Sequence, residues 1–156
     1  MLQCALMIFS GCAIGDFFDV NSTMSPPHSS EEEIAIKNAV NDYLGEEVSF
    51  SKLLVGERYS SVLKYHLNEK EYIIAFCRIR GEELNSHIIL LENNSERKLI
   101  KNDIAKSNVE FGSARIVHGN SGEFGELIVE GIDLDTNLPI VFSWEIKDNG
   151  IAEIDI

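Results

Sequence analysis

The sequence predicts a mainly β fold with one N-terminal α-helix, its antiparallel sheets made from two propeller-blade-like repeats that do not close a ring. Three observations carry that expectation. A stretch beginning near residue 31 is capped and patterned as a helix; everything after Gly45 breaks into short runs rich in Val, Ile, Phe and Tyr; and several of those runs recur about fifty residues later.

Taken in chain order, Met1 to Phe9 (MLQCALMIF) is apolar, too short to span a bilayer as a helix but long enough for the core of a signal peptide. Ser10 and Gly11 follow, then Cys12, an order that resembles the bacterial lipobox with Phe9 where Leu is usual. The expectation is a signal peptide over residues 1–11 and a lipid on Cys12 that anchors the chain at the extracytoplasmic face of the cell membrane. A signal peptide normally opens with positive charge, yet no Lys or Arg precedes Lys37, so the start is expected to be internal, with basic residues upstream. Residues 12–30 read as a tether, because the Pro26-Pro27 pair cannot continue a helix and favours extended backbone.

Residues 31–156 then form a single helix-plus-β domain. Ser30 can cap exposed amides, and Glu31, Glu32 and Glu33 suit the positive end of a helix dipole, so this acidic run marks a helix start rather than a metal site. Ile34, Ala35, Ala39, Val40, Tyr43 and Leu44 supply the expected apolar face of a helix over 31–44, which Gly45 ends. Strands are expected near 61–67, 71–79, 86–92, 97–101, 113–118, 126–132, 138–146 and 151–155. Turns are expected at Asn68-Glu69, Asn93-Asn94, Gly119-Asn120 and Asn149-Gly150. Alternation is clearest from Leu138 to Ile146, where Ile140, Phe142 and Trp144 share one face, which makes Trp144 a core residue.

The internal repeat matches Glu71-Tyr72-Ile73-Ile74 with Glu126-Leu127-Ile128-Val129, 55 positions apart. Its flanks agree at 53 positions: Ser61 to Lys64 with Ala114 to Val117, and Ile88 to Glu92 with Val141 to Glu145. The two units run from about 58 to 105 and from 109 to 156. A four-stranded unit repeated at this spacing is the pattern of propeller blades and related arrays.

The order of parts, Gly11-Cys12, Met24-Ser25-Pro26-Pro27, the helix from Glu31 to Leu44, then Gly56 to Ser61 leading into Glu71 to Phe76, resembles clostridial and related Gram-positive lipoproteins with integrin-like propeller repeats of the FG-GAP type. The resemblance spans nearly the whole chain and implies a membrane-tethered protein of the cell envelope. Such proteins usually run longer, so this chain would be a shortened member with about two blades. Two blades cannot close a ring: the units stack as a small sandwich, or a partner chain completes the assembly, or the chain is a piece of a longer one. Calcium-binding repeats of this type use Asp-x-Asp-x-Asp-Gly loops. Here the corresponding loops, His66 to Lys70 and His118 to Gly122, have lost most of their carboxylates, and no cofactor is expected. Asp133, Asp135 and Asn137 do place oxygen side chains at alternate positions, but Leu138 stands where a calcium loop wants glycine, and a polar hairpin tip is the simpler account.

Composition narrows function further. The 26 acidic against 13 basic residues give a net charge of −13, which repels phosphate backbones and argues against nucleic acid as a partner. Only Cys77 lies within the domain, so no disulfide framework or Cys-based zinc site can form there, and it reads as buried and inert. His28, His66, His87 and His118 show no metal-ligand spacing. The last three begin or end expected strands, where surface or turn positions are the rule. The glycines from 112 to 125 have turn character and lack the Lys of a phosphate loop. These features predict a non-catalytic binding or interaction module of unassigned ligand. The alternatives are an envelope hydrolase with a carboxylate site, or a degenerate shortened copy without retained function.

Overall fold

The computed structural model describes residues 30–45, 48–67, 69–81, 83–94, 98–118, 125–147 and 150–154. The expected signal peptide, Cys12, His28 and the rest of the expected tether up to residue 29 lie outside the described residues, as do Asn68, Gly119, Asn120 and Asn149 of the expected turns; Ser30, expected as the tether's last residue, is the first of the helix.

Helix α1 spans Ser30–Leu44, with Glu31, Glu32 and Glu33 in its first turn. Gly45 ends it at φ 72, a conformation that favours glycine, and its amide donates to the Asn41 carbonyl at 2.8 Å. The buried stripe differs from the expected one. Ile36 and Val40 are sealed, with Ala39 and Leu44 beside them, whereas Ile34 and Tyr43 are more than half exposed. Positions 36, 40 and 44 recur every four residues and form the narrower seam that meets the sheet.

Among the described residues eleven strands follow: β1 Ser49–Phe50, β2 Leu53–Val55, β3 Arg58–Ser60, β4 Val62–Leu67, β5 Lys70–Arg80, β6 Leu84–Asn93, β7 Lys98–Ser107, β8 Val109–His118, β9 Gly125–Asp133, β10 Leu138–Lys147 and β11 Gly150–Glu153. In the first sheet β5 pairs with β6, and β6 with β7; the other edge of β5 is shared by β4, opposite Lys70 to Ala75, and β1, opposite Cys77 and Arg78. The second sheet runs β11-β10-β9-β8-β2-β3, antiparallel except where β2 meets β8 in parallel at Leu54 and Ser113. No closed propeller or barrel forms. The two meanders, β4 to β7 and β8 to β11, face one another as a sandwich.

One residue turns the chain from sheet to sheet. Asn108 sits at φ 53, in the left-handed region that Asn tolerates better than most residues. Its amide donates to the Leu84 carbonyl at 2.7 Å, its carbonyl accepts from Leu134 at 2.8 Å, and its side chain donates to Asp135. Beneath this corner, buried Ser86 donates to the Val109 carbonyl at 2.6 Å, tying β6 to the first residue of β8.

Three layers result. Between the sheets lie Leu63, Tyr65, Tyr72, Ile74, Phe76, Ile88 and Leu90 from the first, and Phe111, Leu127, Val129, Trp144 and Ile146 from the second. Trp144 is only 1% exposed, a core residue as its alternation predicted. The opposite face of the first sheet, with Val62, Ile73, Ala75, Cys77, Ile89 and Leu91, packs under α1. Lys64 is buried on that same face and reaches Glu32 of the helix at 2.6 Å.

Because the first sheet is covered on both faces, its strands read as continuous apolar runs, and the alternation that reveals facing is lost. This corrects part of the repeat alignment. Tyr72 and Ile74 point inward like Leu127 and Val129, as the 55-residue offset implies. At 53 residues, however, inward Ile88 and Leu90 align with Val141, which is 62% exposed, and with Ser143, whose hydroxyl bonds Glu126 away from the core. A one-residue slip reverses the face of a whole strand. Two expected strands prove longer, each through a bulge: β7 runs past an extra residue at Lys101, and β8 begins before one at Gly112.

Candidate functional site

The row of β5 side chains facing the second sheet reads Tyr72, Ile74, Phe76 and then Arg78, and the matching row of β6 passes from Leu90 and Ile88 to Ser86. Arg78 and Ser86 are cross-strand partners, so the sandwich interior changes from apolar to polar at one end. There the sheets leave a cleft of about 370 Å³, lined by Phe50 of β1, Ser51 and Lys52 from the β1–β2 connection, Arg78, Ser86, and Glu110 and Phe111 of β8. The bulge at Gly112 sets the last two in place: Phe111 remains in the core while Glu110 faces Arg78.

Arg78 is loosely held. Its Nη1 lies 3.5 Å from Glu110 Oε1, and the Glu110 side chain is 56% exposed. Its Nε is buried without a hydrogen-bond partner. A buried donor left in that condition costs about 1–3 kcal/mol. Lys52 is exposed and has no acidic partner among the described residues. Among the described residues the lining therefore combines two cations, one carboxylate, two serines and two phenylalanines.

A second grouping lies under α1. Cys77 and His87 are cross-strand partners, and His87 Nδ1 is 3.0 Å from Asp103 Oδ1. His87 was expected at a surface or turn position at a strand start. Instead β6 begins earlier, at Leu84, and the ring is buried on the helix-facing side. The set has the residue types of a thiol nucleophile and its base, but burial, reinforced by the charge of Asp103, pushes the Cys77 thiol up to about 12. A nucleophilic cysteine needs the opposite shift and an approach for substrate. Cys77 is fully buried, in keeping with its reading as structural.

The other expected positions are spread apart. His66 is exposed near the end of β4, 3.4 Å from Glu71. The side chain of His118 lies outside the described residues. Asp133, Asp135 and Asn137 occupy the β9–β10 hairpin, where Asp133 Oδ1 accepts the amides of Asp135 and Thr136 at 2.9 and 3.2 Å, and Asn137 takes φ 56. Asp135 turns aside to Asn108. Asp133 thus serves the turn itself and Asp135 the Asn108 corner, and among the described residues no group of three His, Cys, Asp or Glu side chains could hold a metal ion.

Carboxylate titration follows cations elsewhere. Lys101, with Lys70 behind it, holds Glu92 below its ordinary 4.5, and Arg115 with the Ser113 hydroxyl does the same to Glu130 on the outer face of the second sheet. Among the described residues no helix covers that outer face. It exposes Leu54, Tyr59, Ile132 and Val141 among charged neighbours.

No family model matches the chain, and neither do curated proteins or solved structures. Functional argument therefore rests on the residues themselves. No binding residue was assigned from the sequence. The available signal was Arg78 continuing an inward-facing row of apolar residues, but it is visible only once the parity of β5 is known.

Proposed function

We propose that the protein is a lipid-anchored, extracytoplasmic binding module that works without catalysing a reaction, tethered to the cell membrane through Cys12 and taking a ligand at the open end of its sandwich. The observation that carries the binding half is the cleft at Arg78, lined by a guanidinium whose Nε has no hydrogen-bond partner among the described residues, by Lys52, which has no acidic partner among them, and by two phenylalanines. Binding rather than hydrolysis is favoured because the one carboxylate among the described lining residues, Glu110, already lies beside an arginine, whereas hydrolysis of the glycosidase kind asks for two carboxylates with separated roles. The anchoring half rests on the sequence alone: the apolar run to Phe9, the small residues before Cys12, and the Pro-broken spacer.

Expression of the full chain in a bacterium that exports lipoproteins, with an alkyne-bearing fatty acid in the medium, tests the anchor. The wild type is expected to take up label and sediment with membranes. Cys12→Ala is expected to lose the label and leave the membrane fraction; unchanged labelling or membrane association in that variant refutes the anchor.

A further inference from the structure

We infer that the cleft at the open end of the sandwich is an oxyanion site, in which a carboxylate or phosphate group of a small ligand takes the Arg78 guanidinium side-on and displaces Glu110 from it. The inference rests on the binding-module reading and names the chemistry of its ligand.

Four features point to an anion. A guanidinium presents Nε and a neighbouring Nη as a planar fork that matches two oxygens of a carboxylate or phosphate. In Arg78 the Nε arm has no partner, and the Nη1 contact to Glu110, at 3.5 Å, is well beyond the roughly 2.7–2.9 Å of a formed charge-assisted bond. Lys52 supplies a second cation to the lining. Among the described lining residues the charged groups are thus Lys52 and Arg78 against Glu110, in a chain whose total is −13.

The scarcity of such a place matters. Among the described residues Lys64 and Lys98 are spoken for by Glu32, Lys70 and Lys101 by Glu92, Lys106 by Glu153, Arg115 by Glu130 and Lys147 by Glu145, while the exposed Arg58 of β3 stands outside the cleft lining. An anion approaching this acidic surface is repelled at most points and meets poorly neutralised cations in the cleft. At about 370 Å³ the space is at the small end of ligand pockets, which run from roughly 300 to 1,000 Å³. Phe50 and Phe111 line it, so a short apolar stem beside the anionic group fits better than a second charge.

Titrating the full chain with inorganic phosphate and, separately, with succinate, at ionic strength held constant with chloride, tests this by NMR of the arginine Nε–H groups. The Arg78 signal is identified by its loss in Arg78→Lys. A saturable shift of that signal and of the Ser86 and Phe111 amides is expected with at least one anion; response to phosphate alone assigns a phosphate group, and response to succinate alone a carboxylate. Read at the two amides, Arg78→Lys is expected to weaken binding about tenfold, since an ammonium cannot offer the fork. Glu110→Gln, which removes a competing carboxylate and leaves the core untouched, is expected to tighten it about twofold to fivefold. Lack of saturation with both anions overturns the oxyanion site, as does unchanged or weakened affinity in Glu110→Gln. Glucose and spermidine are run as neutral and cationic probes: saturation by either, with none by the anions, overturns the oxyanion assignment while the binding-module reading stands.

Discussion

Glu92 and Gly131 show how single residues set local limits on this fold. The Glu92 carboxylate sits 2.9 Å from Lys101 and 3.6 Å from Lys70, and these cations hold it below its ordinary 4.5. A carboxyl whose folded value is depressed adds stability above the ordinary value, and that contribution is lost as pH falls through the depressed one. Melting temperature is therefore expected to fall on acidification below 4.5, and the fall to be smaller in Glu92→Gln; equal slopes in the two proteins would count against the pairing. Gly131 is limited by space. It lies opposite the β8 bulge, where an added Cβ would come within 2.5 Å of the Glu110 carbonyl oxygen. Backbone cannot swing aside as a side chain can, so Gly131→Ala is expected to cost about 1–3 kcal/mol in denaturant unfolding. Because that substitution pushes on Glu110, it is also a structural route to disturbing the cleft.

Among the elements, α1 docks by two means of different character. Ile36 and Val40 bury an apolar seam over the first sheet, and the Lys64–Glu32 contact pins the first turn of the helix to β4. Lys64 is more deeply buried than its partner, with 6% of its side chain exposed against 18% for Glu32. The two ends of the pair are therefore not equivalent. Removing the carboxylate strands an ammonium under the helix, whereas replacing the lysine by an apolar chain of similar length leaves Glu32 with Lys98 at 3.9 Å. Glu32→Ala is expected to destabilise by about 3 kcal/mol and Lys64→Met by clearly less. Urea midpoints measured side by side check the order, and equal losses would show that the pair is not what holds the helix.

For the molecule as a whole, the first sheet is the shared layer. One face meets the helix and the other meets the second sheet, so neither core can open without exposing β5 and β6. Trp144 reports the inter-sheet core, where it stacks on Phe142 at 5.4 Å and lies 5.9 Å from the Lys106 ammonium. Helical circular dichroism reports α1. The two signals are expected to give one coincident unfolding transition; a helix signal lost at lower denaturant would show that α1 forms a separate unit.

Much of this arrangement is legible in the residues. The glutamate-rich start and Gly45 mark the ends of α1, and the two-residue period from Ile140 to Trp144 places the tryptophan inside, because among the described residues the second sheet is covered on one face only. Where burial is two-sided, as along Ile73 to Cys77 and Ile88 to Leu91, the period vanishes and the facing cannot be read. Bulges at Lys101 and Gly112 break the period again, which is why β7 and β8 look shorter in sequence than they are. The short strands from Ser49 to Ser60 are too brief to show any pattern, and pairing alone defines them. By itself the sequence determined the helix, the alternation of the second sheet, the repeat and the acidic surface, all of which depend on neighbours along the chain. Only the tertiary structure decided that the two units form a sandwich, that His87 lies buried beside Asp103, and that Arg78 and Lys52 meet Glu110 in one cleft. Those are contacts between residues 16 to 58 positions apart, and no local pattern encodes them.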